Sequence, residues 1–261
     1  MKLLFDVTEL SYYNENSGHK AGVFYVALNL LNEFKKMGIN VALYCNFKRY
    51  RYMKDIDIIS DLELVKENSI ANLFWSNLLY LTDKFPKRIK YLFIILARFY
   101  EEYFCIPNKK NIAEINKFDI YFSPFTPPSK DIEMSNLKRF RMIHDVIPII
   151  ENGMPKSPKD WYFRVYNSIN KDDFYFTNSE FTQNDVLKHF PFIPESHIKT
   201  TLLGANDNFY PIKEKSPIED RYIFSLCTLG KRKNLIFAIE NFFRFNFFVT
   251  LVLFFRNIFP I

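Results

Sequence analysis

Residues 23–45 read VFYVALNLLNEFKKMGINVALYC. Val23, Val26, Ala27, Leu30, Leu31 and Phe34 recur at helical spacing and share one face. Lys35 and Lys36 fall in the last turn, where cations are favoured, and Gly38 stops the helix. INVALYC (39–45) is the next strand. Upstream, KLLFDV (2–7) is a short apolar run that predicts a buried first strand. Strand, loop, helix and strand in that order make a βαβ unit, so the fold class is α/β with a parallel sheet.

Working outward, residues 46–117 are rich in aromatics and Lys and read as mostly helical. FDIYFSP (118–124) and RFRMIHDV (139–146) read as further strands, and PKDWYFRVYNSINKDD (158–173) as a helix. FYFTNS (174–179) runs into a helix EFTQNDVLKHF, with Ser179 or Asn178 as its N-cap. IKTTLLGA (198–205) is another strand, followed by a polar linker with two prolines, NDNFYPIKEKSPIEDR. SLCTLGKRKNLIFAIENFF (225–243) then reads as a strand, a basic turn and an amphipathic helix. Beyond Glu240 the chain is Phe-rich without alternation or turn signals, so this last segment predicts one strand and one helix that do not complete a sheet.

The composition sets outer bounds. Apolar residues make up 48% and charged residues 25%, which suits a globular core. A net charge of +6 suits an anionic small molecule, an anionic membrane surface or nucleic acid without choosing among them. Cys45, Cys105 and Cys227 are widely separated, giving neither metal-ligand spacing nor a disulfide framework. The N-terminus lacks a signal-peptide pattern, and no stretch is apolar for the ~20 residues of a spanning helix. A cytoplasmic protein is the expectation.

In an open parallel sheet, ligands bind beyond the carboxyl ends of the strands. Three loops there carry suggestive residues. The loop before Gly22 could bring backbone N–H groups to a phosphate, although taken alone it reads better as an ordinary loop. His144 and Asp145 directly follow a strand. An imidazole there can bond a substrate hydroxyl, or equally a backbone carbonyl, with Asp145 capping a turn. Lys231, Arg232 and Lys233 lie between an apolar strand and a helix start, which favours anion binding over a merely solvated turn. No Ser/His/Asp order, P-loop or metal-ligand cluster is seen, and His189 and His197 read as surface residues.

AGVFYVALNLLNEFKKMGINVALYC, RMIHDVIPI, TNSEFTQNDVLKHF with IPESHIKTTLLGANDNFYP, and YIFSLCTLGKRKNL occur in this order. Together they resemble the retaining GT-B glycosyltransferases of family 4, weakly across 46–117. The resemblance implies two Rossmann-like domains facing across a cleft, the first holding the acceptor and the second a nucleotide-sugar donor. It places Gly22 at the donor phosphates, His144 beside the transferred sugar as the catalytic residue, and Lys233 on the diphosphate. Arg232 would compensate for the family's usual arginine, because Cys227 and Thr228 occupy that glycine-arginine position. Asp145, Ser179 and Glu180 would lie on the acceptor or sugar side. No metal or other cofactor is implied.

The same resemblance predicts an acceptor-side domain over 1–212, and over 213–261 a linker with the interrupted start of a donor domain. The family's second domain runs on for well over a hundred residues and supplies two glutamates, so the expectation is a truncated enzyme without detectable transfer. The alternative is a non-catalytic acceptor-binding module that needs a separately encoded donor domain. The implied partners are a nucleotide sugar and a glycan or lipid-linked acceptor of surface polysaccharide synthesis, and no nucleic acid. KFPKRIKYLFIILARFYEEYF (84–104) adds a further expectation. With Lys84, Lys87, Arg88 and Lys90 beside an apolar run, it reads either as a helix lying on an anionic membrane or as a buried helix with a basic end.

Overall fold

A computed structural model describes residues 1–12, 22–53, 61–156, 161–204, 222–227, 233–244 and 250–255. The chain divides into two compact units, Met1–Gly204 and Ala205–Ile261.

The first unit contains β1 (Lys2–Asp6), α1 (Gly22–Lys36), β2 (Asn40–Tyr44), α2 (Phe47–Met53), α3 (Ile70–Leu81), α4 (Lys87–Tyr103) and α5 (Lys109–Ile115). There follow β3 (Ile120–Ser123), α6 (Lys130–Glu133), β4 (Lys138–Ile143), α7 (Ile147–Asn152), α8 (Trp161–Asn167), β5 (Phe174–Thr177), α9 (Glu180–His189) and β6 (Ile198–Thr200). The six strands form one parallel sheet in the order β2-β1-β3-β4-β5-β6. The predicted α/β class and parallel sheet are observed.

Parallel sheets of this kind are covered on both faces, which explains why the strands read as apolar runs rather than alternating ones. Leu3 and Phe5 of β1 point to one face, where Phe24, Ala27 and Leu31 of α1 cover them. Leu4 points to the other, against Ile115 of α5 and Ile132 of α6. Phe5 stacks on Phe122 of β3 at 5.5 Å, and Phe34 meets the same ring edge-on at 5.7 Å. Phe24 is buried on α1 together with Ala27 and Leu31, although the sequence pattern did not include it in the apolar face. Gly38 ends α1 with φ +70°, a conformation that L side chains rarely adopt.

A charged cluster ties the helical insertion to the sheet. Glu101 of α4 bonds Lys48 of α2 at 2.5 Å, Arg164 of α8, and Asn46 Nδ2 at 3.3 Å. Burial alone would raise the Glu101 pKa, but the two cations outweigh it and hold the carboxyl down to about 2. Lys48 is pushed down to about 8 by burial, against the pull of Glu101.

The second unit contains β7 (Tyr222–Cys227), α10 (Leu235–Arg244) and β8 (Thr250–Phe255). β8 pairs in parallel with β7, from Tyr222↔Thr250 to Cys227↔Phe255. This corrects the expectation of one strand and one helix: the Phe-rich segment supplies a second strand and closes a βαβ unit. The helix read over 158–173 is also shorter, with Trp161–Asn167 as its described extent.

Candidate functional site

The strand order reverses beside β1, since β2 lies on one side of it and β3 on the other. Such a switch point opens a crevice at the carboxyl ends of the strands, where ligands bind in this architecture. The residues leaving those ends build two neighbouring cavities.

The first cavity, of about 130 Å3, is lined by Val23, Phe125, His144, Asp145, Tyr162 and Tyr166 among others. His144 follows β4 directly. Its Nε2–H donates to the Pro124 carbonyl at 2.8 Å, and its ring lies 5.9 Å from that of Phe125. Burial lowers its pKa, so the ring is neutral at pH 7 and Nδ1 is left as an acceptor. Asp145 is exposed and accepts from Ile147 N–H at 3.1 Å. His144 thus does bond a backbone carbonyl, and Asp145 does cap a turn, while both still line a cavity.

The other predicted positions converge on this edge only in part. Gly22 is the first residue of α1, directly before the cavity-lining Val23, and among the described residues a methyl group there would meet nothing within 4 Å. Ser179 is the N-cap of α9, accepting from Thr182 N–H at 3.1 Å, so its hydroxyl already serves the helix. Thr182 Oγ1 donates in turn to the His144 carbonyl at 3.4 Å, which sets the N-terminus of α9 beside His144. Glu180 is exposed in the first turn of α9, where a negative charge suits the helix dipole. Lys233 is exposed and belongs to the second unit, two residues before α10. Arg232 lies outside the described residues. No group of His, Cys, Asp and Glu among the described residues is arranged to hold a metal ion.

The second cavity, of about 350 Å3, was not foreseen from the sequence. It lies between the ends of β1 and β2 and helices α3 and α4, and includes Glu9, Tyr12, Arg49, Tyr52, Ile94 and Phe125 in its lining. Glu9 is only 6% exposed, and its carboxylate accepts from Thr126 Oγ1 at 3.4 Å across the β1/β3 switch point. Burial pushes its pKa up to about 7, with the nearby Asp6 adding to the effect and Thr126 and Arg49 opposing it. Asp6 itself is pushed up to about 6 by burial, although Thr8 N–H and Tyr121 O–H both donate to it.

Arg49 is clamped rigidly. Its guanidinium lies 3.5 Å from the Tyr52 ring and 4.4 Å from the Tyr12 ring, and it donates to Ser11 through Nε at 3.0 Å. The turn Pro124–Phe125–Thr126 after β3 connects the two cavities, holding His144 by its first carbonyl and Glu9 by its last hydroxyl. The carboxyl-end rule that singled out His144 applies equally to Glu9, which follows β1 by three residues.

No protein-family model matches the chain, and no curated protein matches it. Among solved structures it is similar to the lipopolysaccharide outer core galactosyltransferase WaaB in its apo form, with a TM-score of 0.51 at 11% identity. The fold is that of the GT-B glycosyltransferases. That alignment covers 97% of this chain and 60% of WaaB, so the chain spans 60% of that enzyme's length. Arabidopsis thaliana UGT89C1 complexed with UDP-L-rhamnose gives a TM-score of 0.43 at 12% identity, over 97% of this chain and 68% of that one. At 11% identity the likeness to WaaB carries the fold and no residue role.

Proposed function

We propose that the chain belongs to a nucleotide-sugar-dependent glycosyltransferase, with its first unit on the acceptor side. The observation that carries this reading is the meeting of His144, the α9 N-terminus and the start of α1 at the carboxyl edge of a GT-B-type sheet. A neutral imidazole fixed by Pro124 presents Nδ1 to a sugar hydroxyl, and two helix N-termini favour the negative charge of a departing diphosphate. We carry the finer reading with it: a retaining, family 4-like enzyme of surface polysaccharide synthesis, Gly22, Arg232 and Lys233 at the donor phosphates, an acceptor domain over 1–212 and the start of a donor domain over 213–261. The second reading is a non-catalytic acceptor-binding module that needs a separately encoded donor domain.

The test is nucleoside diphosphate release from a panel of UDP- and GDP-sugars, alongside nucleotide-sugar binding by saturation-transfer NMR. Release that His144→Ala lowers about tenfold, as expected for losing one hydrogen bond in the transition state, supports the enzyme. Binding without release supports a transferase that is inactive in this form, whereas binding of a glycan acceptor with no affinity for any nucleotide sugar supports the module. A chain that neither binds nor turns over any nucleotide sugar sinks the reading.

We also propose that α4 rests on an anionic membrane. No described helix is long and apolar enough to cross one. Ile89, Leu92, Leu96, Phe99 and Tyr103 follow one another at helical spacing along α4, and all are 41–66% exposed. That pattern favours a surface-lying helix over a buried one. Lys84, Lys87 and Arg88 are exposed at its N-terminal end, and each cation near an anionic surface contributes about 1 kcal/mol. The full chain is expected to float with phosphatidylglycerol vesicles, to do so less in high salt, and to lose binding on Leu92→Asp/Phe99→Asp. Equal flotation with zwitterionic vesicles, or none, ends this idea.

A further inference from the structure

From the cavity at the β1/β3 switch point, we infer that it holds the sugar ring of a pyranoside carrying an apolar aglycone, with Glu9 accepting a hydrogen bond from a ring hydroxyl. The inference rests on the glycosyl-transfer reading for its biological sense, but its binding chemistry stands on the cavity alone. At about 350 Å3 the space is of the size ligand pockets have. It combines the features that recognise a sugar joined to a chain. A nearly buried carboxylate in the lining is an acceptor of hydroxyl hydrogens, and in so dry a setting such a bond contributes more than it would in water. Phe125 lines the space as an apolar ring for C–H groups, beside Tyr12 and Tyr52 with the Arg49 guanidinium on their rings. Leu79 of α3 with Ile94 and Ala97 of α4 supplies an aliphatic wall that a free monosaccharide would leave unused.

The placement agrees with the chemistry of transfer. Phe125 lines this cavity and the one at His144, so a sugar seated against it lies beside the place assigned to the donor sugar. Thr126 and the clamped Arg49 fix the surroundings of Glu9 from β3 and α2. The acceptor would then enter a preformed pocket rather than order one on arrival.

The experiment titrates the full chain at pH 8, where Glu9 has given up its proton, without nucleotide sugar, with monomeric octyl glycosides of gluco, galacto, manno and N-acetylglucosamine configuration. Methyl glycosides and octyl phosphate serve as separate arms. At least one octyl glycoside is expected to bind, its methyl counterpart at least tenfold more weakly, and Glu9→Gln is expected to weaken the octyl glycoside tenfold or more. Thermal melts of the variant confirm that it is folded. Octyl phosphate binding as tightly as the glycosides, and equally to the native chain and Glu9→Gln, would assign the cavity to an anionic chain and overturn the proposal. So would the absence of binding by every octyl glycoside. Because no nucleotide sugar is present, either result can be told apart from failure of the transferase reading.

Discussion

Glu101→Ala is expected to destabilise the first unit by about 3 kcal/mol, because it leaves the partly buried Lys48 and Arg164 facing each other without their shared, nearly buried counter-charge. The effect exceeds that of an ordinary surface pair, since Glu101 is only 6% exposed and the cluster joins α2, α4 and α8. The pH dependence carries the signature. In the native chain the carboxyl is held to about 2, below its unfolded value, so its contribution is present above the ordinary carboxylate range and is lost as pH falls through about 2. In the variant, Lys48 loses the partner that raises its pKa. Its folded value then lies further below the unfolded one, and part of the lost stability returns as pH rises toward that of free lysine. Urea midpoints measured from pH 2 to pH 10 check both statements. A loss under ~1 kcal/mol at pH 7, with no alkaline recovery, would mean that the cluster is solvated.

The sequence made the sheet legible for a definite reason. In a parallel sheet covered on both faces, KLLFDV and INVALYC must be apolar throughout, and the intervening helix must carry a stripe with period 3.6. TLVLFF has the same continuous apolar character. A continuous apolar run lacks the alternation that marks half-buried strands, and only its pairing with β7 identifies Thr250–Phe255 as a strand. His144 stood out because histidine is rare in this chain and follows a strand directly. Glu9 did not, because one acid in a polar stretch has no spacing to read. Its meaning comes from the strand order, which sets the end of β1 against the end of β3, and sequence alone did not supply that order. Arg49 was hidden for a related reason: its clamp depends on Tyr12 and Tyr52 meeting around it.

At pH 8, Glu9→Gln is expected to make the fold more stable than the native chain by about 3 kcal/mol. The sign follows from the direction of the shift. The native carboxyl, raised to about 7, keeps its proton where the unfolded chain has lost it. Native stability therefore falls as pH rises from the ordinary carboxylate value through about 7, and stays low above that. Glutamine carries no such slope and can still accept from Thr126 Oγ1. The two proteins should melt alike near pH 4 and diverge toward pH 8. A destabilised variant at pH 8 would show that the charge of Glu9 is well solvated or paired in the fold. A gain in stability combined with a loss of glycoside binding is the trade-off expected of a group kept for function.

One helix has two neighbours to serve. Ile94 and Ala97 of α4 wall the Glu9 cavity, while Leu92, Leu96 and Phe99 of the same helix face outward. A helix with its side chains is about 10–12 Å across. With the outward face resting on a bilayer, the cavity wall stands about one helix diameter above the lipid. An acceptor anchored by its own chain would then never have to leave the interface to reach Glu9. Its encounter with the protein becomes a search over an area instead of a volume, so occupancy is set by how densely acceptors populate the leaflet and little by their concentration in the surrounding water.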